Sequence, residues 1–277
     1  MTCRGQRRGG PVESQLDQLV ALLDSYGRVA VGYSGGVDSA FLAAVCARHL
    51  PDRAALIHLV NPFMGTPERA AYERDARRFG LPVFEIAIDP LSVPEVAANP
   101  KDRCYHCKLA GFREIVATAR EGGFDVVVDG SNADDAGDFR PGMRALAELD
   151  VRSPLMETGW HKAEEREMLK RWGFEVWNMP AGACLATRIP CGEPLDAGKL
   201  ELVRACEDAL HAHGLKQVRV RLVAGTVRVE ASDEDLAEAC AAEGASLPRG
   251  ILDSLRDAGA VSIDPVWHHY ARGSMNA

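Results

Sequence analysis

The sequence predicts an α/β protein with a parallel, doubly wound sheet, followed by a smaller α+β domain. In the first part of the chain, short apolar runs typical of buried parallel strands alternate with helix-periodic segments. Later, two segments of period-two alternation flank Ala224 and Gly225, a pattern typical of a β-hairpin. Glycine and proline accumulate around residue 180, which indicates a boundary. We therefore predict a disordered tail at residues 1–13 and two domains, at residues 14–180 and 181–277.

The individual elements follow from local periodicity. Apolar runs bounded by turn residues predict strands at residues 28–32, 54–60, 83–88, 125–129 and 153–156. Helical spacing of apolar residues predicts helices at residues 14–27, 40–50, 68–79, 161–172 and 196–214. The predicted hairpin pairs residues 217–223 with residues 226–230. Because strands and helices alternate with short connections, we expect helices on both faces of the sheet.

The composition is that of an ordinary soluble globular protein. Of the 277 residues, 47% are hydrophobic and 26% are charged, and the formal net charge is -8. The negative charge argues against nucleic acid as the main partner. No apolar run approaches the roughly 20 residues that span a bilayer, and no signal-peptide core follows the N-terminal arginines. We expect a cytoplasmic protein without a membrane partner, whose eight cysteines are thiols, metal ligands or nucleophiles.

A glycine-rich turn joins the first predicted strand to the helix that follows it. Its residues are Ser34, Gly35, Gly36, Val37, Asp38 and Ser39. Glycines let a phosphate approach the backbone amides, and the helix directs its free N–H groups to the same point. The Asp38 carboxylate would repel phosphate unless Mg²⁺ lies between them. The turn lacks the lysine of GxxxxGK[ST] loops, and it predicts a different kind of Mg-nucleotide site.

A second polar loop follows the fourth predicted strand. It contains Asn132 and Asp134, which suit nucleotide and magnesium, and Arg140, which suits departing phosphates. In parallel sheets, ligands bind at the carboxyl ends of strands, where the glycine-rich turn also lies. A solvated acidic loop is the alternative that the residue types leave open.

Three cysteines lie in sequence contexts that are typical of metal-binding or reactive thiols. Cys104 and Cys107 form a CxxC pair at a predicted helix start, near basic residues. The pair suits half of a zinc site, a redox pair or two ligands of an iron–sulfur cluster, but no second CxxC completes a zinc site. Cys184 lies in a loop of small residues, four positions before Arg188, which suits either a reactive thiolate or a structural thiol.

Arg219 and Arg221 alternate along one strand of the predicted hairpin and share a face. Together they are able to bind a phosphate group. Solvated strand arginines are the alternative interpretation.

The motifs SGGVDS, NPKDRCYHCK, DGSNADD, FRPG, ACLATRIPCGE, QVRVRLV and VRVE, in this order, resemble those of the LarE family. These ATP-dependent sulfur transferases belong to the PP-loop ATP pyrophosphatases. The resemblance implies an enzyme that uses ATP and Mg²⁺ to adenylate a carboxylate and then adds sulfur to pyridinium dicarboxylic acid mononucleotide for a nickel-pincer cofactor. It implies that Cys184 carries the sulfur, that Arg219, Arg221 and Glu230 bind this small-molecule substrate, and that the chain forms a homo-oligomer.

The resemblance leaves two sources for the sulfur. In single-cysteine relatives the protein gives up the sulfur of that cysteine and retains dehydroalanine. In three-cysteine relatives the thiolates hold a [4Fe-4S] cluster that binds an extra sulfide, and Cys104, Cys107 and Cys184 match those ligands. Because three cysteines are present, the number of available ligands favours the cluster over sacrifice of Cys184 as the sulfur source. Cys191 departs from the family, where an aromatic residue is usual, and is a candidate spare ligand or persulfide relay.

Other PP-loop functions are alternatives. An ammonia-dependent NAD or GMP synthetase would share the nucleotide site but has no need of three cysteines. A tRNA-thiolating enzyme would use cysteines, but it should show a basic RNA-binding surface. A non-enzymatic nucleotide-binding stress protein would have the fold without SGGVDS.

Overall fold

A computed structural model describes residues 11–135, 141–180, 182–236 and 246–270. The chain divides into two compact units. The first comprises Met1–Leu59, Ala70–Ile86 and Gly111–Met179, and the second comprises Val60–Arg69, Ala87–Ala110 and Pro180–Ala277. The second unit thus combines the C-terminal part with two earlier segments. The predicted domains, residues 14–180 and 181–277, stay a prediction.

The regular elements are numbered here in chain order. The strands are β1 (Val29–Gly32), β2 (Ala54–Val60), β3 (Val83–Ala87), β4 (Val126–Val128), β5 (Val218–Val223), β6 (Thr226–Ala231) and β7 (Ser262–His269). The α-helices that lie wholly within the described residues are α1 (Pro11–Ser25), α2 (Val37–His49), α3 (Thr66–Asp75), α4 (Pro94–Ala97), α5 (Arg103–Glu121), α6 (Pro141–Glu148), α7 (Pro154–Glu157), α8 (Lys162–Arg171), α9 (Ala197–Ala212) and α10 (Arg249–Asp257). None of these helices is long and apolar enough to cross a membrane.

The first unit contains a four-stranded parallel sheet with the order β3-β2-β1-β4. Side chains of β1 alternate between two apolar clusters. Val29 and Val31 pack with α1, α2 and α8, whereas Ala30 packs with α5 and α6. Helices therefore cover both faces of the sheet, and the predicted doubly wound α/β class is confirmed.

Two local predictions differ from the structure. Helix α1 begins at Pro11 rather than Ser14, because proline needs no N–H partner in the first turn of a helix. The predicted tail therefore does not extend to residue 13, and residues 1–10 lie outside the described part. The strand predicted at residues 153–156 is wrong: Pro154 starts the short helix α7. Strand pairing there stops at an isolated bridge between Val128 and Arg152.

The second unit contains a mixed three-stranded sheet with the order β5-β6-β7. Strands β5 and β6 form the predicted antiparallel hairpin, and β7 runs parallel to β6. Both turn residues have positive φ, 48° at Ala224 and 78° at Gly225, as two-residue hairpin turns of this kind require. Helices α9 and α10 pack on this sheet through one apolar cluster. The predicted smaller α+β part is confirmed.

Candidate active site

The glycine-rich turn between β1 and α2 is closed by its own two serines. Ser39 Oγ accepts a hydrogen bond from Ser34 N at 3.2 Å and donates one to Gly36 O at 3.1 Å. Gly35 has a φ of 83°, which favours glycine, and no side chain caps the first N–H groups of α2. Val37 and Asp38 start the helix. The turn therefore offers free amides at a helix N-terminus, where an anion binds well.

Gly130 follows β4 and lies directly against this turn. A Cβ atom at Gly130 would be 2.8 Å from the Ser39 amide nitrogen and 3.1 Å from the Asp38 carbonyl carbon. Only glycine fits here without moving the backbone. Because β1 and β4 are parallel neighbours, their carboxyl ends meet at the same edge of the sheet. Gly130 was not predicted as a site residue, because nothing in the sequence around it indicates its contact with the turn.

Helix α8 brings a buried carboxyl group to Asp38. Glu165 has no exposed surface, and its Oε1 accepts a hydrogen bond from Asn132 Nδ2 at 3.0 Å. Burial, and then the neighbouring Asp38 carboxylate, raise the pKa of Glu165 to about 9. Lys162 Nζ lies 3.1 Å from Asp38 Oδ2. Neither Glu165 nor Lys162 was predicted from the sequence.

The loop after β4 is tied to the start of α8. Asp134 Oδ1 lies 2.6 Å from His161 Nδ1, and Asp134 Oδ2 accepts a hydrogen bond from the Lys162 amide at 2.9 Å. The hydrogen bond from His161, and then that from the amide, hold the pKa of Asp134 below its usual value. Nucleotide binding by Asn132 and Asp134 stays a prediction. Arg140 lies outside the described residues.

Cys104, Cys107 and Cys184 are brought together in the second unit. Each of the three pairs of thiols interacts electrostatically. Burial, and then Cys184 and Cys104, raise the pKa of Cys107 to about 12. Among the residues that the structure describes, no three metal-binding side chains converge on one ion. Three grouped thiols nevertheless suit a [4Fe-4S] cluster that keeps one iron open, since a cluster is much larger than one ion.

Buried hydrogen bonds join the CxxC segment to the Cys184 segment. Asn99 has a φ of 55°, and its Nδ2 donates to Pro190 O at 2.8 Å and to Glu193 O at 3.0 Å. Arg103 Nη1 donates to Ala186 O at 3.1 Å and to Asn99 Oδ1. These two residues fix the relative position of the cysteines. Neither residue was predicted as part of the site, although the position of Arg103 next to Cys104 indicated a role there.

Cys184 is exposed and has an electropositive surrounding. The protein around its sulfur raises the thiol pKa by desolvation, and Arg103, the Ala186 amide and Arg188 oppose that rise. Arg188 Nη1 also donates to Ala183 O at 2.8 Å, which holds the backbone beside the cysteine. Access and nearby positive charge favour a reactive thiol, whereas desolvation, the largest influence on the pKa, favours the protonated form.

The arginines of β5 are buried, so they are not solvated strand residues. Arg219 and Arg221 are 6% and 5% exposed. Arg221 Nη2 lies 2.8 Å from Glu230 Oε2, and its Nη1 donates to Thr187 O at 2.9 Å. Burial, and then Arg188, lower the pKa of Arg219. Arg219, Arg221 and Arg188 bring three guanidinium groups together, and the carboxylates of Glu230 and Glu207 partly offset their charge.

Comparison with known proteins gives three relatives, and no family model matches. An uncharacterized protein of Synechocystis sp. is 34% identical over 81% of this chain and 84% of its own length. The pyridinium-3,5-bisthiocarboxylic acid mononucleotide synthase of Lactiplantibacillus plantarum is 30% identical over 76% of this chain and 77% of its own length. An uncharacterized protein of Methanocaldococcus jannaschii is 24% identical over 75% of this chain and 79% of its own length.

Proposed function

Because this chain belongs to the LarE family, whose members transfer sulfur, we propose that it uses ATP to activate a carboxylate of pyridinium dicarboxylic acid mononucleotide and then replaces a carboxylate oxygen with sulfur. The observation that carries the proposal is the grouping of Cys104, Cys107 and Cys184. Three grouped thiols suit a sulfur transferase, whereas an ammonia-dependent synthetase has no use for them.

The first step is adenylation in the first unit. A substrate carboxylate oxygen attacks the α-phosphorus of ATP, the bond from that phosphorus to the bridging oxygen breaks, and pyrophosphate leaves with the electron pair. The free amides at the start of α2 bind the departing anion. Asp38 would hold Mg²⁺, which neutralises phosphate charge when it is bound. The product is an acyl-adenylate.

The second step is thiolation, which uses the second unit. A sulfur nucleophile attacks the acyl carbon, the bond to the AMP oxygen breaks, and AMP leaves. Cys104, Cys107 and Cys184 would hold a [4Fe-4S] cluster, whose open iron would supply bound sulfide. In the sacrificial alternative, the Cys184 thiolate forms a thioester. A base then removes the Cys184 α-proton, and the Cβ–S bond breaks to leave a thiocarboxylate and dehydroalanine.

Substrate recognition completes the proposal. Arg219 and Arg221 would bind the phosphate of the mononucleotide, because two buried guanidinium groups provide charge and several donors in a small volume. Glu230 would hold Arg221 in place through their ion pair. A cytoplasmic homo-oligomer acting on this small molecule, without nucleic acid, is part of the same proposal.

The test is pyrophosphate release that depends on the pyridinium substrate. We expect purified protein with Mg-ATP and this substrate to form pyrophosphate, AMP and, with sulfide supplied, a thiocarboxylate detected by mass spectrometry. Asp38→Asn is the control that should lose pyrophosphate release. Release that requires tRNA, or ammonia with another carboxylate, would establish one of the alternative functions instead.

A further inference from the structure

Two buried carboxyl oxygens beside the glycine-rich turn have no hydrogen-bond donor. They are Asp38 Oδ1 and Glu165 Oε2, and no amide, hydroxyl, lysine or arginine group of the described chain donates to either. The two carboxyl groups lie within hydrogen-bonding reach of each other. Their other oxygens are engaged, by Lys162 Nζ at 3.1 Å and by Asn132 Nδ2 at 3.0 Å. The unpaired oxygens are therefore available to a ligand.

Packing does not explain a glutamate at position 165. The same face of α8 buries Met168 and Leu169, so position 165 belongs to an apolar stripe. Glu165 is 0% exposed. A fully buried carboxyl group is costly unless its polar atoms are paired, and only one of its two oxygens is. An apolar residue at position 165 would stabilise the fold more, and the presence of a glutamate there therefore points to a role of Glu165 in binding.

We propose that Glu165 is the second carboxylate ligand, beside Asp38, of the divalent cation that accompanies the nucleotide. This inference rests on the proposed use of Mg-ATP. Mg²⁺ is bound in nucleotide sites by one or two carboxylates, with phosphate oxygens and water completing its shell. Two protein ligands therefore suffice. Lys162 contacts the other oxygen of Asp38, so it leaves Oδ1 free.

The test measures binding of Mn²⁺, a spectroscopic substitute for Mg²⁺, to the full chain by electron paramagnetic resonance, with and without ATP. The variant is Glu165→Gln, which retains the size and hydrogen bonding of glutamate but removes the anionic oxygen. The matched control is Glu167→Gln, an equal charge change at an exposed site on the same helix. We expect the dissociation constant for Mn²⁺ to rise about 10-fold or more in Glu165→Gln and to stay unchanged in the control.

The outcomes separate this inference from the proposed function. If Glu165→Gln binds Mn²⁺ as tightly as the wild type does, Glu165 is only a hydrogen-bonded acid, and the inference is overturned while Mg-ATP use stands. If the wild type binds no Mn²⁺ with ATP, both fail. A second variant, Glu165→Leu, restores the apolar stripe and guards against a folding defect. It should fold and also lose Mn²⁺ affinity, and wild-type affinity there would equally overturn the inference.

Discussion

Arg188 binds both carboxylate oxygens of Glu207, with Nε–Oε1 at 2.8 Å and Nη2–Oε2 at 3.0 Å. Both side chains are buried. Glu207 Oε1 also accepts a hydrogen bond from the Val220 amide, and Arg188 Nη1 donates to Ala183 O. One ion pair therefore joins the backbone beside Cys184 to helix α9 and strand β5.

Removing one partner of this pair should destabilise the protein. In Arg188→Met, the Glu207 carboxylate is left buried without its cation, and we expect a loss of about 3–5 kcal/mol in the free energy of unfolding. Urea unfolding measures it. The double variant Arg188→Met with Glu207→Leu should recover part of the loss, because no charge remains unpaired. Wild-type stability in the single variant would show that the pair does not hold this segment.

Gly36→Ala should separate nucleotide binding from folding. A Cβ atom at Gly36 would meet only Ser34 Oγ, at 3.5 Å, so we expect stability to change by less than about 1 kcal/mol. The methyl group would, however, stand where phosphate approaches. A steric conflict of about 1–3 kcal/mol corresponds to a loss of roughly 5- to 150-fold in ATP affinity, measured by calorimetry.

Gly130→Ala is the matched comparison. Its Cβ atom would collide with backbone atoms of Ser39 and Asp38, and overpacking of this kind costs about 1–3 kcal/mol of stability. Thermal unfolding should therefore shift in Gly130→Ala and not in Gly36→Ala. Equal shifts of the unfolding temperature in both variants would contradict the prediction that Gly130 is required for packing whereas Gly36 leaves room for a ligand.

Iron content distinguishes the two sulfur sources. We expect about four irons and acid-labile sulfide per chain in protein purified without oxygen, and their loss in Cys104→Ala and Cys107→Ala. Cys191→Ala is the control and should retain the iron, because Cys191 is not one of the three grouped thiols. Iron loss in the control would make Cys191 a fourth ligand and remove the open position. Iron-free protein, even after reconstitution, would favour sacrifice of Cys184.

Cys184→Ser should uncouple the two steps. Serine retains the approximate size of the side chain, and the proposed adenylation uses residues of the first unit, so substrate-dependent pyrophosphate release should persist. Thiocarboxylate formation should fall to background, because the oxygen analogue neither donates sulfur nor serves as the thiolate ligand of a cluster. Mass spectrometry of substrate and protein follows both steps. Unchanged thiocarboxylate formation would exclude the role given to Cys184.

The fold and the glycine-rich turn were predictable because their signals are local. Strands β1 and β2 are short apolar runs, and the turn Ser34–Ser39 joins strand to helix within a few residues. Helix α7 was not predictable, because residues 153–156 are equally compatible with a short strand. Only the place of Pro154 in the first helical turn decides between the two.

The supporting residues of the site were missed because their partners are distant in sequence. Asn99 contacts the carbonyl groups of Pro190 and Glu193, and nothing around Asn99 indicates this. Glu165 was different: an acidic residue in line with Met168 and Leu169 breaks an apolar stripe. A buried acidic residue in an apolar helix face is a signal from which Glu165 could have been predicted.

Asp235 should make stability depend on pH. Burial of its carboxylate raises the pKa, but hydrogen bonds from the Lys216 and Gln217 amides and from Ser232 outweigh burial and hold the pKa below 3.8. A lowered pKa means that the folded state prefers the ionised form. The resulting stability is present above pH 3.8 and is lost as the pH falls through the folded-state pKa.

Asp235→Asn should therefore cost about 1.5–3 kcal/mol at pH 7, the usual contribution of hydrogen bonds to a charged group, and less near pH 3. Urea unfolding at both pH values measures the difference. Asp233→Asn, at a nearby position whose side chain is 92% exposed, is the control and should change stability little at either pH. If Asp235→Asn costs the same free energy of unfolding at both pH values, the stabilisation does not depend on the charge of the Asp235 carboxylate, and the prediction is wrong.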